Sequence, residues 1–321
     1  MIEFSPITLD AQKIFGQYMM RDNIALSDMN FTNCFMWRYA REIHYAVLQD
    51  TLIIQTCYQG SEPFVFFPIG ASSISHALRV LEALKTHYRA LGFGLHLASL
   101  SKQQASAIDS HFGVQSVAVR EKFDYIYDVA ELIALNGRKY HKKKNHLNAF
   151  LQEYGNFVFE EISAHNIPAI LEAYEKWFEA NPNKSDGLQF EYLGIQDALN
   201  SYENLGLQGG VIFIDGKVGA FSFGEVLACN LAYEQSDLAQ PSSGESYINK
   251  SGKVAVIHIE KADSQYRGIY QAINQQVLQH CFSDCVWVNR EEDLGIEGLR
   301  KAKQSYQPAF LLEKFKVSIQ G

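Results

Sequence analysis

Helical and strand-like patterning runs through one order of elements twice, and that duplication limits the fold more than any other feature of this sequence. Residues 10–40 read as helical, with Ile14, Tyr18 and Met19 on one face and Phe31, Phe35 and Met36 on another. Strand-like runs follow at 43–48, 52–57 and 64–69, then an amphipathic helix carrying Leu78, Leu81, Ala83, Leu84 and Tyr88 at 3–4 spacing. A short strand at 95–97, a helix at 103–111 and strands at 114–119 and 125–129 complete the set. The second half repeats the order. It has a strand at 157–162 and a helical seam through Ile167, Ile170, Leu171, Tyr174, Trp177 and Phe178. Strands at 211–214 and 218–225 flank Asp215-Gly216, a hairpin-turn signal. Strands at 227–233 and 254–259, a helix at 266–281, a strand at 286–289, a helix at 296–305 and a strand at 310–317 follow. Each copy is large enough for its own core, so this is a pseudo-repeat and not a solenoid. The expected class is α/β (α+β): two tandem domains, residues 1–135 and 157–321, each a mixed central sheet flanked by helices. The strands at 254–259 and 286–289 should be parallel neighbours in the second sheet.

Residues 136–156 join the copies, and 138–144 read Arg-Lys-Tyr-His-Lys-Lys-Lys. Tyr140, Leu147, Leu151 and Tyr154 fall on one helical stripe, so this segment is expected to be a linking helix with a positive outer surface. The chain as a whole carries a formal net charge of −8, so contact with nucleic acid or anionic lipid must come from such a local patch. No stretch approaches the ~18 apolar residues that span a membrane, and Met1-Ile2-Glu3-Phe4-Ser5 has no signal-peptide character. Cys34, Cys57, Cys229, Cys281 and Cys285 are odd in number and scattered, as expected of reduced thiols in a cytoplasmic protein. Cys281 and Cys285 are four apart without a second Cys/His pair, so no metal site is expected.

Chemistry-bearing residues gather in the last quarter. Two apolar runs end in polar bursts, His258-Ile259-Glu260-Lys261-Ala262-Asp263 and Asn289-Arg290-Glu291-Glu292-Asp293. In open α/β sheets the carboxyl ends of strands are where ligands bind. His258 and Glu260 are two apart on one strand and share a face; Glu260 can deprotonate an acceptor or form a salt bridge with Arg267 or Lys261. Asp293 can join the site or cap the helix that begins near Ile296. Arg300 and Lys303 can face substrate, or lie on a solvated face with the Glu297–Lys301 pair. Gln265-x-x-Gly268 opens a helix, where backbone N–H groups can cradle an anion. The segment 235–253, with Pro241, Ser242, Ser243 and Gly244, reads as a long functional loop. There is no nucleophile elbow, P-loop or G-x-G-x-x-G, so no strong nucleophile stands out.

The strand–helix position of Gln265-x-x-Gly268-x-Tyr270 resembles the pyrophosphate loop of the GNAT N-acetyltransferases, pattern Q/R-x-x-G-x-G/A, with Tyr in place of the last small residue. The duplicated order resembles a tandem GNAT fold. The three segments 258–263, 266–274 and 289–308, ending in Leu299-Arg300-Lys301-Ala302-Lys303-x-Ser305-Tyr306-x-Pro308, resemble a bacterial family related to the C-terminal domain of phosphatidylglycerol lysyltransferases. The basic helix resembles the inter-domain segment of the Fem aminoacyltransferases. These resemblances imply transfer of an aminoacyl group from aminoacyl-tRNA to an amine or hydroxyl on a lipid head group, peptide or small molecule, with no further cofactor. A coenzyme-A-dependent N-acyltransferase and a non-catalytic GNAT-like binding protein are the alternatives. On this reading Glu260, His258, Asn289 and Arg290 are catalytic, and Gln265, Arg267, Gly268, Tyr270, Asn274, Glu291, Asp293, Arg300, Lys303 and Tyr306 bind substrate. Lys142, Lys143 and Lys144 meet tRNA phosphates, and peripheral contact with anionic lipid is a further expectation.

Overall fold

The computed structural model describes residues 1–232, 247 and 250–320. Most of the expected 235–253 loop therefore lies outside the described residues, and Ser251–Lys253 belongs to a strand. The chain divides into two compact units, one of Met1–Asp124 plus the chain from Leu312 onward, the other of Tyr125–Leu311.

The first unit holds a seven-stranded sheet in the spatial order Ser5–Pro6, Glu42–Leu48, Thr51–Cys57, Phe64–Val65, Leu95–Leu100, Phe315–Ile319, Val117–Ala118. The helix Ile74–Ala90 lays Ala77, Val80, Leu81, Leu84 and Tyr88 on Ile53, Val65, Leu97, Val317 and Ile319. Its first turn is capped by Ser73, whose hydroxyl accepts from the His76 N–H at 3.1 Å. The helical patterning of 10–40 is broken into Gln12–Met19 and Phe31–Met36, because Asn30 turns extended and caps the second piece. A buried ion cluster lies in this unit. The Lys314 ammonium sits between Asp28 and Asp124, 2.7 Å from the latter, and Asp124 also accepts from the backbone and hydroxyl of Ser27 at 2.9 Å each.

The second unit holds another seven-stranded sheet, ordered Phe310–Leu312, Asp124–Asp128, Trp287–Asn289, Ser251–Ala262, Lys217–Ala232, Gln208–Ile214, Val158–Glu161. Val254 stands opposite Trp287 and Val256 opposite Asn289, in the expected parallel pair. Strand alternation sorts the two faces. Glu260 points to the helix Ile269–Cys281, whereas Phe221 and Lys261 point to the helices Ile167–Ala180 and Asp186–Asn200 through Trp177, Tyr174 and Glu191. The compact units are drawn differently from the 1–135 and 157–321 division. Asp124–Asp128 pairs with Trp287–Asn289 in the second sheet, while the expected strand at 310–317 breaks at Glu313-Lys314 and its second half, Phe315–Ile319, completes the first sheet. Burial of Lys314 with its two carboxylates fixes that break. The expected strands at 218–225 and 227–233 form one strand, Lys217–Ala232, bulged near Val226 instead of turned.

Candidate functional site

The parallel pair at the centre of the second sheet splits. Pairing ends at Val256 and Asn289, yet the strand Ser251–Ala262 runs on for six more residues. Past Asn289 the other chain turns toward Tyr125: the Arg290 N–H donates to the Tyr125 carbonyl (3.0 Å), and the Tyr125 N–H donates to that of Glu291 (3.2 Å). Two ion pairs then span the splayed strands where main-chain bonds would have been. Arg290 Nη2 lies 2.9 Å from Glu260 Oε1, and His258 Nδ1 lies 3.2 Å from Glu291 Oε1.

Around Glu260 the groups are mostly buried. Its second oxygen accepts from the Asn274 amide at 3.2 Å, so both oxygens are engaged. Arg290 stands 5.0 Å from the centre of the Tyr306 ring, and Lys143 Nζ is 3.8 Å from the same centre. Gln271 donates to the Tyr306 hydroxyl at 3.1 Å. Burial, and then the charge of Arg290, pull Lys143 down to about 8, against a smaller opposing pull from Glu260. Burial pushes the Tyr306 phenol up to about 12. Lys143 and Arg290 face one carboxylate, so the cluster carries an excess of positive charge.

His258 is a second node. Its side chain is 2% exposed and lies between Glu291 and Glu225, with Nε2 3.0 Å from Glu225. Burial opposes its charge, but hydrogen bonds to Glu225 and Glu291 outweigh it and raise the imidazole to about 9. The side chain is therefore an imidazolium at neutral pH, donating from both nitrogens, and is not poised to take a proton.

Other expected site residues hold the loop. The Asn289 amide oxygen accepts from the Glu291 N–H at 2.7 Å, and Glu291 adopts φ +57°. Asp293 is buried and does not cap the following helix, whose N-cap is Ile296 without a side-chain bond. It instead accepts from both sides of the Arg300 fork (2.8 and 2.9 Å), the Tyr125 hydroxyl (2.7 Å) and the Gly295 N–H (2.9 Å). Burial works against its charge, yet those donors hold the carboxyl well below the usual carboxylate range. Lys303 donates to the Arg290 and Glu291 carbonyls. Arg267 is exposed, and Lys261 pairs with Glu191 at 2.7 Å, so the salt-bridge partner of Glu260 is Arg290 and neither of those two.

The Gln265-x-x-Gly268-x-Tyr270 loop does not offer a pyrophosphate cradle. The Gln265 amide is tied to Asp263 at 2.6 Å, and the Tyr270 hydroxyl donates to the Ala262 carbonyl at 3.3 Å. Gly268 adopts φ +83°, and a Cβ there would stand 2.1 Å from the His146 carbonyl oxygen and 3.1 Å from Phe150. The glycine therefore admits the basic helix His141–Glu153 against the start of Ile269–Cys281, where a coenzyme would need room.

Along that basic helix the lysines differ. Lys142 is exposed, Lys144 donates to the Ala134 carbonyl at 3.0 Å, and Lys143 turns inward over Tyr306. Just ahead of it, Lys139 pairs with Glu131 at 2.7 Å. Of the expected stripe Tyr140 and Leu147 are buried, but Leu151 is 42% exposed and Phe150, outside the stripe, is buried beside them. Glu225 and Gln271 belong to the two clusters without having been singled out from the sequence. Gln271 lies three residues before Asn274, which the sequence had singled out, and that spacing on one helix face could have marked it. Among the described residues no group of three or more His, Cys, Asp or Glu could hold a metal ion, and no helix is long and apolar enough to cross a membrane.

A profile for the C-terminal region of phosphatidylglycerol lysyltransferase matches residues 23–233 and 244–318. A conserved protein of unknown function from Bacteroides thetaiotaomicron superposes with a TM-score of 0.84 at 28% identity, covering 100% of both chains. L-PGS from Bacillus licheniformis superposes with a TM-score of 0.62 at 14% identity, over 95% of this chain and 90% of that one. An uncharacterized protein, MYCGA3080, of Mycoplasmoides gallisepticum is 21% identical over 234 residues, 70% of this chain and 68% of the relative. The fold is tandem and GNAT-like, two mixed sheets with helices.

Proposed function

The chain belongs to the family of the phosphatidylglycerol lysyltransferase C-terminal domain, and on that premise we propose that it transfers an aminoacyl group from an aminoacyl-tRNA to an amine or hydroxyl acceptor at the splay in its second unit. The observation that carries this reading is the Arg290–Glu260 bridge across the split strands, with Asn274, Tyr306 and Lys143 around it. An aminoacyl ester is already activated, so the acceptor can attack its carbonyl directly. The protein's work is then positioning and charge stabilisation. Glu260, with both oxygens taken by Arg290 and Asn274, positions Arg290 at the splay in place of acting as a base. His258, Glu291 and Glu225 keep the two strand ends at a fixed separation. Lys142, exposed on the basic helix, meets the phosphates of the tRNA. The packing of Gly268 against His146 speaks against the coenzyme A alternative.

The test uses the purified chain with a panel of radiolabelled aminoacyl-tRNAs and three acceptor classes: phosphatidylglycerol vesicles, peptide amines and small amines. Transfer to one class, with binding that weakens as salt rises and a Lys142→Glu variant whose salt slope falls by roughly one, supports the reading. No binding of any charged tRNA and no transfer leaves a non-catalytic binding protein.

A further inference from the structure

We propose that Lys143 is the catalytic base of this site, taking the proton that the acceptor loses as it attacks. The inference rests on the aminoacyl-transfer reading and adds a residue role to it.

Lys143 is carried on the inner stripe of the basic helix, three residues after buried Tyr140 and four before buried Leu147, and is partly buried where Lys142 is exposed. Its amine rests 3.8 Å from the centre of the Tyr306 ring, and it makes no ion pair among the described residues. The charged and titratable groups around it are Arg290, Glu260 and Tyr306, with Tyr127 behind Arg290 at 5.9 Å. Of these only Glu260 is an anion, and its oxygens are spent on Arg290 and Asn274. A half-buried amine beside a guanidinium, without a carboxylate of its own, gives up its proton more easily than a surface lysine. The other candidate bases do not serve. His258 is held as an imidazolium and Glu260 is doubly bonded.

The step balances. The acceptor nitrogen or oxygen forms a bond to the ester carbonyl carbon, and its proton passes to the lone pair of neutral Lys143 Nζ. The carbon–oxygen bond to the ribose then breaks, and the Lys143 ammonium returns the proton to the departing ribose oxygen. The enzyme ends as it began.

Two measurements decide. The first compares Lys143→Arg with wild type. Arginine keeps the positive charge and cannot act as a base at neutral pH, so kcat should fall about 10²- to 10⁴-fold while charged-tRNA binding and its salt slope stay the same. Lys143→Ala should regain part of its rate with added methylamine. The wild-type rate should rise with pH up to about 8, and that limb should vanish in both variants. A Lys143→Arg variant with near-normal kcat shows a phosphate or structural contact and overturns the proposal. The second measurement does not depend on turnover. The protein is reductively ¹³C-methylated, and the lysine resonance missing in Lys143→Arg is followed by NMR. A midpoint near 8 is expected, and one near 10.5 overturns the proposal. Wild-type protein that transfers from no charged tRNA refutes the aminoacyl-transfer reading and the base role with it. Wild-type transfer combined with an active Lys143→Arg refutes the base role alone.

Discussion

Replacing His258 with Gln should remove a pH dependence of stability that can be worked out from the structure. In the folded chain the imidazole, 2% exposed and bonded to Glu225 and Glu291, is raised from 6.5 to about 9. A pKa raised on folding means that the stabilisation is whole below 6.5 and is lost as pH climbs through 9. At about 1.36 kcal/mol per unit, the whole effect is about 3 kcal/mol. Between pH 6.5 and 8 the unfolded chain sheds this proton and the native chain keeps it, so stability should fall by about 2 kcal/mol. That window is the informative one. Lys143 is lowered on folding, to about 8, so its penalty is relieved above pH 8 and opposes the loss. Burial raises Cys34, Cys281 and Cys285 from 9, so they act only above that value. His87, lowered by burial, acts below 6.5. Urea denaturation at half-unit steps from pH 6 to 8, read by far-UV dichroism and by the fluorescence of Trp177 and Trp287 in the second unit, supplies the measurement. The His258→Gln variant should lose this decline, at the cost of lower stability at pH 6. A wild-type curve that is flat within about 0.5 kcal/mol, or a variant with the same slope as wild type, would refute an imidazolium clasped by two carboxylates.

Two further outcomes concern the frame around the site. Lys314→Met leaves Asp28 and Asp124 buried without their cation, and should cost about 3–5 kcal/mol in chemical denaturation; a loss under 1 kcal/mol would show that the carboxylates are satisfied without the lysine. Gly268→Ala puts a Cβ against the His146 carbonyl at φ +83°, and should cost about 1–3 kcal/mol and speed amide exchange in the basic helix; unchanged exchange would show that the two helices separate freely.

Much of this was legible in the residues. The parallel pair of strands and the gathering of polar residues at their ends were read directly from two apolar runs that stop in His, Glu, Asn and Arg. Arg290 as the partner of Glu260 was not legible, since it depends on the two strands diverging after Val256 and Asn289. Lys143 was hidden by the charge run around it. The stripe through Tyr140 and Leu147 passes over position 143, but three consecutive lysines read first as surface. The helix Asp186–Asn200 escaped because its aromatic and glycine-containing sequence has weak helical propensity and forms by packing, with Phe178 and Tyr192 stacked 4.2 Å apart. The final strand was read as one because hydrophobic alternation does not reveal which sheet it joins.

The strand Phe315–Ile319 has a consequence for the order in which the chain can acquire its structure on the ribosome. The first unit needs that strand beside Leu95–Leu100, and needs Lys314 between Asp28 and Asp124, but 191 residues separate positions 124 and 315. At about 5–20 residues per second, roughly 10–40 s of synthesis pass before they arrive. The part of the protein made first is thus the part completed last. During that interval the Leu95–Leu100 edge stands open and Asp28 and Asp124 await their counter-ion, and the second sheet also waits for its edge strand Phe310–Leu312. Both sheets are therefore closed by two neighbouring strands, Phe310–Leu312 and Phe315–Ile319, that are made together late in synthesis.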